Sequence, residues 1–90
     1  MPKINGSHTT SNFRKKFEKL PIEIRLLATN KILVFEKNFL HPGLNTHKLK
    51  GHLSNFWSFY ITKSYRVLFK FLKNNGVIYY DIDDHDIYKK

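Results

Sequence analysis

Two kinds of side chain in this sequence are suited to handling phosphate chemistry, and most of them crowd into its second half. His47 and His85 carry imidazoles, which exchange protons near neutral pH. Arg66 carries a guanidinium that can grip two phosphate oxygens at once. Lys48, Lys50, Lys63 and Lys70 add cations around them, and Tyr88 adds a phenol close to the end. Lys48 and Lys50 alternate with Leu49, so they share a side if this segment is a strand. Between Glu36 and Asp81 there is no Asp or Glu, and the net charge is +9. An acid-free stretch with spread cations suits a polyanion such as nucleic acid, with DNA and RNA both left open. The plainer reading is charge that only keeps a small protein soluble. On that reading Arg66 is a surface arginine, His85 a polar tail residue and Tyr88 a cap on the core. His8, His41 and His52 read as loop residues.

Ninety residues make one domain spanning 1–90, with room for a single modest core. Eight Phe, five Tyr and one Trp mean that rings build much of that core. The absence of Cys excludes disulfides and thiolate metal sites. No apolar run approaches the roughly 18 residues of a membrane helix, and the first residues do not resemble a signal peptide, so a cytoplasmic protein without membrane contact is expected. No Gly-rich phosphate loop is present, and no cofactor is implied. Asp81, Asp83, Asp84 and Asp86 alternate in a way that can hold Mg²⁺, but no acid elsewhere in the basic half completes such a site, so no metal is expected.

Ser11–Leu20 reads as a helix capped by Ser11 or Thr10, with Phe13, Phe17 and Leu20 on one face. Pro21 forces a corner. A second helix follows from Ile22 to about Asn38, with Ile22, Leu26, Ala28 or Thr29, Leu33 and Val34 as its apolar face. After His41-Pro42-Gly43 the pattern becomes strand-like. Trp57–Thr62 and Tyr65–Leu72 alternate around a Lys63-Ser64 turn, and Asn74-Asn75-Gly76 leads into Val77–Ile82. A short strand near residues 48–50 is expected, and residues 1–10 form an edge strand or a loose arm. The class is α+β: two N-terminal helices on one face of a three- to four-stranded antiparallel sheet, the other face free.

This order of segments resembles the RelE/ParE toxin superfamily. The residues that carry the resemblance are Phe17-Glu18-Lys19-Leu20-Pro21, His41-Pro42-Gly43-Leu44, His47-Lys48-Leu49-Lys50-Gly51, Trp57-Ser58-Phe59-Tyr60-Ile61, Tyr65-Arg66-Val67-Leu68-Phe69 and His85-Asp86-Ile87-Tyr88. The third and fourth are most similar to HigB-like and YafQ-like members. The resemblance implies the toxin of a bacterial toxin–antitoxin system. One branch of the superfamily cuts messenger RNA on the ribosome, through attack of the 2′-hydroxyl and without metal. The other inhibits DNA gyrase without catalysis, and an inactive basic nucleic-acid-binding relative is a third possibility, because fold alone does not choose. On the nuclease branch Arg66 contacts the scissile phosphate, and His47, His85 and Tyr88 serve proton transfer or stacking. Lys48, Lys50, Lys63 and Lys70 hold RNA. The implied partners are an antitoxin, often acidic, the ribosome with its mRNA, and operator DNA reached through the antitoxin.

The chain also departs from its relatives. Where RelE-like members carry paired lysines, it has Ser58 and Tyr60, which moves proton transfer onto histidines. The acidic residue that YafQ-like members place before the aromatic is Ser64 here.

Overall fold

The computed structural model describes residues 2–84. His85 and Tyr88, two of the expected site residues, lie outside the described residues.

Thr10 both ends a strand and starts a helix. Strand β1 (Gly6–Thr9) runs into helix α1 (Ser11–Lys19), and the Thr10 hydroxyl accepts from the Phe13 amide at 3.0 Å while donating to the Tyr80 carbonyl at 3.0 Å. One side chain thus caps the helix and ties its start to the sheet. Leu20 is extended (φ −66°, ψ 148°), as a residue before proline prefers, and α1 stops there. Pro21 stands at the N-cap of helix α2 (Ile22–Lys37), without a side-chain cap bond.

Strands β2 (His47–Lys48), β3 (Trp57–Tyr60), β4 (Tyr65–Leu72) and β5 (Gly76–Asp84) complete one sheet, ordered β1-β5-β4-β3-β2. The expected helices on an antiparallel meander are present, with two corrections. The sheet has five strands rather than three or four, and it is mixed, because β1 pairs with β5 in parallel. All four residues of β1 are exposed and none is a large aliphatic, so no alternation marks this strand in the sequence. Its contribution is backbone pairing at the edge.

Phe59, Val67, Phe69, Val77, Tyr79 and Ile82 line the helix-covered face of the sheet. Phe35 of α2 sits at the centre, fully buried, with ring centroids 4.3 Å from Phe59, 4.8 Å from Phe69 and 6.2 Å from Tyr79. Phe13 stacks on Tyr79 at 5.5 Å, so α1 shares this core. The expected apolar face of α2 is corrected here. Ala28 and Phe35 are buried, helped by Ile24 and Ile32, whereas Ile22, Leu26 and Leu33 are 54%, 66% and 56% exposed. Apolar residues surround this helix on nearly every side, so periodicity cannot pick the inward face.

Candidate active site

Alternation sends one set of strand residues away from the helices. Tyr60 opposes Arg66, and Arg66 opposes Asp83. His47 opposes Ser58, which opposes Leu68. A register shift after Leu68 leaves Tyr80 as an extra residue on β5, a bulge that turns it toward the same side as Lys70. Ser58 and Leu68 at the middle of this face are buried.

The turn between β3 and β4 fixes Arg66. The Thr62 hydroxyl accepts from the amides of Ser64 and Tyr65, closing the turn. This aims the Lys63 carbonyl at Arg66, whose Nε and Nη2 donate to it at 3.3 and 3.0 Å. The guanidinium then lies over the Tyr60 ring, 4.1 Å from its centroid. A planar cation on an aromatic face is a favourable contact that also holds its orientation.

His47 is fixed from the other side. Buried Leu44 anchors a short 3₁₀ turn, Pro42–Leu44, which ends at Asn45 in the left-handed region (φ 49°, ψ 46°). The Asn45 carbonyl lies 2.6 Å from His47 Nδ1. A carbonyl only accepts, so in the neutral ring Nδ1 carries the proton and Nε2 presents a lone pair. The His47 ring meets Tyr60 edge-on at 6.2 Å. Tyr60 therefore touches the imidazole and the guanidinium together.

A second cluster lies further along β4, four residues from Arg66 and so roughly 13 Å away. The Lys70 ammonium stands 4.6 Å from the Phe56 ring and 5.1 Å from the Tyr80 ring, and those rings pack edge to face at 5.1 Å.

The sequence-predicted residues fall into three groups. Arg66, His47 and Lys70 share the face away from the helices. Lys63 is in the turn, its carbonyl bound to Arg66 and its side chain exposed. Lys48 opposes Trp57, on the other side of the sheet from His47, and Lys50 lies past the end of β2, so these two do not extend one strand together. The sequence alone does not single out Tyr60, Phe56, Tyr80 and Asn45 as site residues. Alternation along 56-58-60 points to the first two. The bulge that turns Tyr80 and the αL turn at Asn45 leave no comparable signal.

Two acids share the Arg66 face by register, Asp83 opposite Arg66 and Asp81 opposite Leu68, and both are paired from α1. Lys16 of α1 pairs with Asp81 at 3.2 Å and with Asp83 at 2.7 Å. Glu36 accepts from the Tyr79 hydroxyl in the core. Among the described residues, no three His, Asp or Glu gather as a metal site. A concavity of about 270 Å³ lies between Lys16, Lys19, Leu20, Pro21 and Tyr65. It is lined by neither His47 nor Arg66.

No protein-family model matches the chain, and no curated protein does. Solved structures do match. A YoeB/ParE toxin from Agrobacterium tumefaciens superposes with a TM-score of 0.74 at 14% identity, covering 89% of this chain and 98% of that one. The RelE in an archaeal RelE–RelB complex from Pyrococcus horikoshii gives 0.70 at 14% identity, covering 93% and 96%. YafQ from Escherichia coli gives 0.68 at 10% identity, covering 93% and 97%. The fold of this chain is the RelE/ParE toxin fold.

Proposed function

We propose that this chain is the toxin of a toxin–antitoxin pair, and that it cuts messenger RNA held on the ribosome. The supporting observation is the gathering of His47 and Arg66 on one Tyr60 ring, on the sheet face away from the helices. His47 Nε2 takes the proton of a ribose 2′-hydroxyl, and the freed oxygen attacks the adjacent phosphorus. Arg66 neutralises the charge that grows on the phosphate oxygens. The bond to the 5′-oxygen breaks, a 2′,3′-cyclic phosphate remains, and the leaving oxygen needs a proton. His85 is the proposed donor, with Tyr88 as its helper, on the ground of the sequence resemblance. Lys70 and Lys63, with Lys48 and Lys50 toward the sheet edge, hold flanking phosphates. A few side chains align a flexible RNA poorly by themselves, and a message held on the ribosome supplies that alignment. Solved structures of the same fold include toxins bound to antitoxins, as in the RelE–RelB complex. An acidic antitoxin fits the acid-free segment between Glu36 and Asp81.

The test uses purified protein, ribosomes and a defined message. Wild type should cut the message and leave cyclic phosphate ends. A 2′-deoxy substitution at the cut position should abolish the cut. Cleavage of the deoxy message at the same place would overturn the mechanism, and a wild-type protein that leaves every message intact would overturn the nuclease reading.

A further inference from the structure

The outer side of α2 carries a feature that the proposed RNA chemistry does not use. Ile22, Leu26, Thr29 and Leu33 are spaced four, three and four apart and all are exposed. That spacing makes one seam along a helix, of the kind that packs against a second helix. Leu27 at 42% and Leu40 at 60% exposure extend the apolar area. A contiguous exposed patch of this kind on a small protein marks an association surface. The Thr29 hydroxyl is already turned inward, donating to the Arg25 carbonyl at 3.0 Å, so the seam is effectively apolar there too.

The charges beside the seam select the occupant. Glu23 and Lys37 are exposed, carry opposite charge and lie seven residues either side of exposed Asn30. Neither has an ion-pair partner among the described residues. An antiparallel second copy, with its two-fold axis near Asn30, sets Glu23 of one copy beside Lys37 of the other at both ends. Leu26 then meets Leu33 across the axis, and the two Asn30 amides face each other, a polar contact that fixes register. A parallel copy would oppose like charges. An acidic partner helix would be attracted at Lys37 but repelled at Glu23, so it would match one end of the seam and not both. We infer that α2 is a self-association face, through which two copies of this chain pair by antiparallel outer seams. This inference is independent of the nuclease reading.

The interface is small and each copy carries a net charge of +9, so a dissociation constant on the order of 10 µM is expected. Sedimentation of the full chain over a concentration series, with circular dichroism to confirm folding, tests it. Wild type should shift from monomer to dimer. Leu33→Lys should weaken the dimer by about tenfold or more, since an exposed site leaves the fold intact and the buried contact is lost. Glu23→Lys should weaken it about fivefold, and Glu23→Lys combined with Lys37→Glu should restore it to within about twofold of wild type. A wild-type chain still monomeric at about 200 µM would overturn the inference, as would a dimer indifferent to Leu33→Lys. Failure of the double reversal to restore association would overturn the antiparallel arrangement, and capture of a synthetic acidic helix by a chain that forms no dimer would assign the seam to another partner.

Discussion

Tyr60 touches both Arg66 and His47, so that ring is the residue whose removal is most informative. Arg66→Ala should lower RNA cutting by about 100-fold or more, because the charge on the phosphate is then unopposed. Arg66→Lys should recover little of this, since an ammonium neither lies flat on Tyr60 nor grips two oxygens. Tyr60→Phe keeps the ring and should stay within a few-fold of wild type. Tyr60→Ala frees both neighbours and should cost about tenfold, consistent with loss of alignment rather than of a reacting group. Single-turnover cutting on programmed ribosomes separates the four variants, and a Tyr60→Ala protein as active as wild type would remove the ring from the account. Arg66 and His47 stand out in the sequence because their types suit phosphate chemistry and their segments resemble those of known toxins. Tyr60 stands out there only as a departure from paired lysines, because a phenol between an imidazole and a guanidinium has no chemistry of its own until the fold brings His47 and Arg66 onto it.

At the scale of elements, the β4–β5 turn shows what local sequence can specify. Asn74 and Asn75 both hold positive φ, 58° and 60°, the geometry of a tight hairpin turn. Gly76 has φ −79° and belongs to the strand, so it is the two asparagines that carry the strained positions. The Asn74 and Asn75 carbonyls also accept from Asn5, from its side chain at 2.8 Å and its amide at 2.9 Å, which seats the chain entering β1. Asn74→Ala should therefore cost about 1 kcal/mol, and Asn74→Gly should be close to neutral, measured by urea unfolding. Equal stability of the two variants would contradict the turn geometry. This hairpin, the Leu-Pro corner and the Thr10 cap are legible because each depends on backbone preferences of single residues. The strand β1 is legible only as one of two options, an edge strand or a loose arm, and the inward face of α2 is not legible, for opposite reasons. β1 has no apolar pattern to read, and α2 has apolar residues on nearly every side. The consequence of the second is the exposed Ile22–Leu33 seam, which a sequence reading folds into the core.

The molecule as a whole separates its core from its chemistry across one sheet. Tyr79 belongs to the core side. Burial first, and then its hydrogen bond and proximity to Glu36, push its phenol above the usual tyrosine range. The folded state therefore favours the neutral ring. That contribution is fully present below the ordinary value near pH 10 and is lost as pH rises beyond it. Tyr79→Phe should cost about 1–3 kcal/mol at neutral pH, by stripping Glu36 of its donor. The gap between wild type and variant should narrow above about pH 10 in thermal or urea unfolding, and a gap that widens there would contradict the assignment. The other side of the sheet holds His47, Arg66 and Lys70 with Tyr60, Phe56 and Tyr80, and an antitoxin attracted by the positive charge of the segment between Glu36 and Asp81 should bind more weakly as salt rises, whereas affinity unchanged between low and high salt would show that charge is not the main term. The account turns on that side of the sheet cutting RNA. Its most direct measurement is the mapping of 5′ ends across cellular messages after brief induction in bacteria, with wild type, Arg66→Ala and His47→Ala compared. New ends confined to translated regions, abundant with wild type and reduced by about 100-fold with either variant, are the predicted result. Growth arrest by wild type with no new message ends, relieved instead by a gyrase mutation, would contradict it.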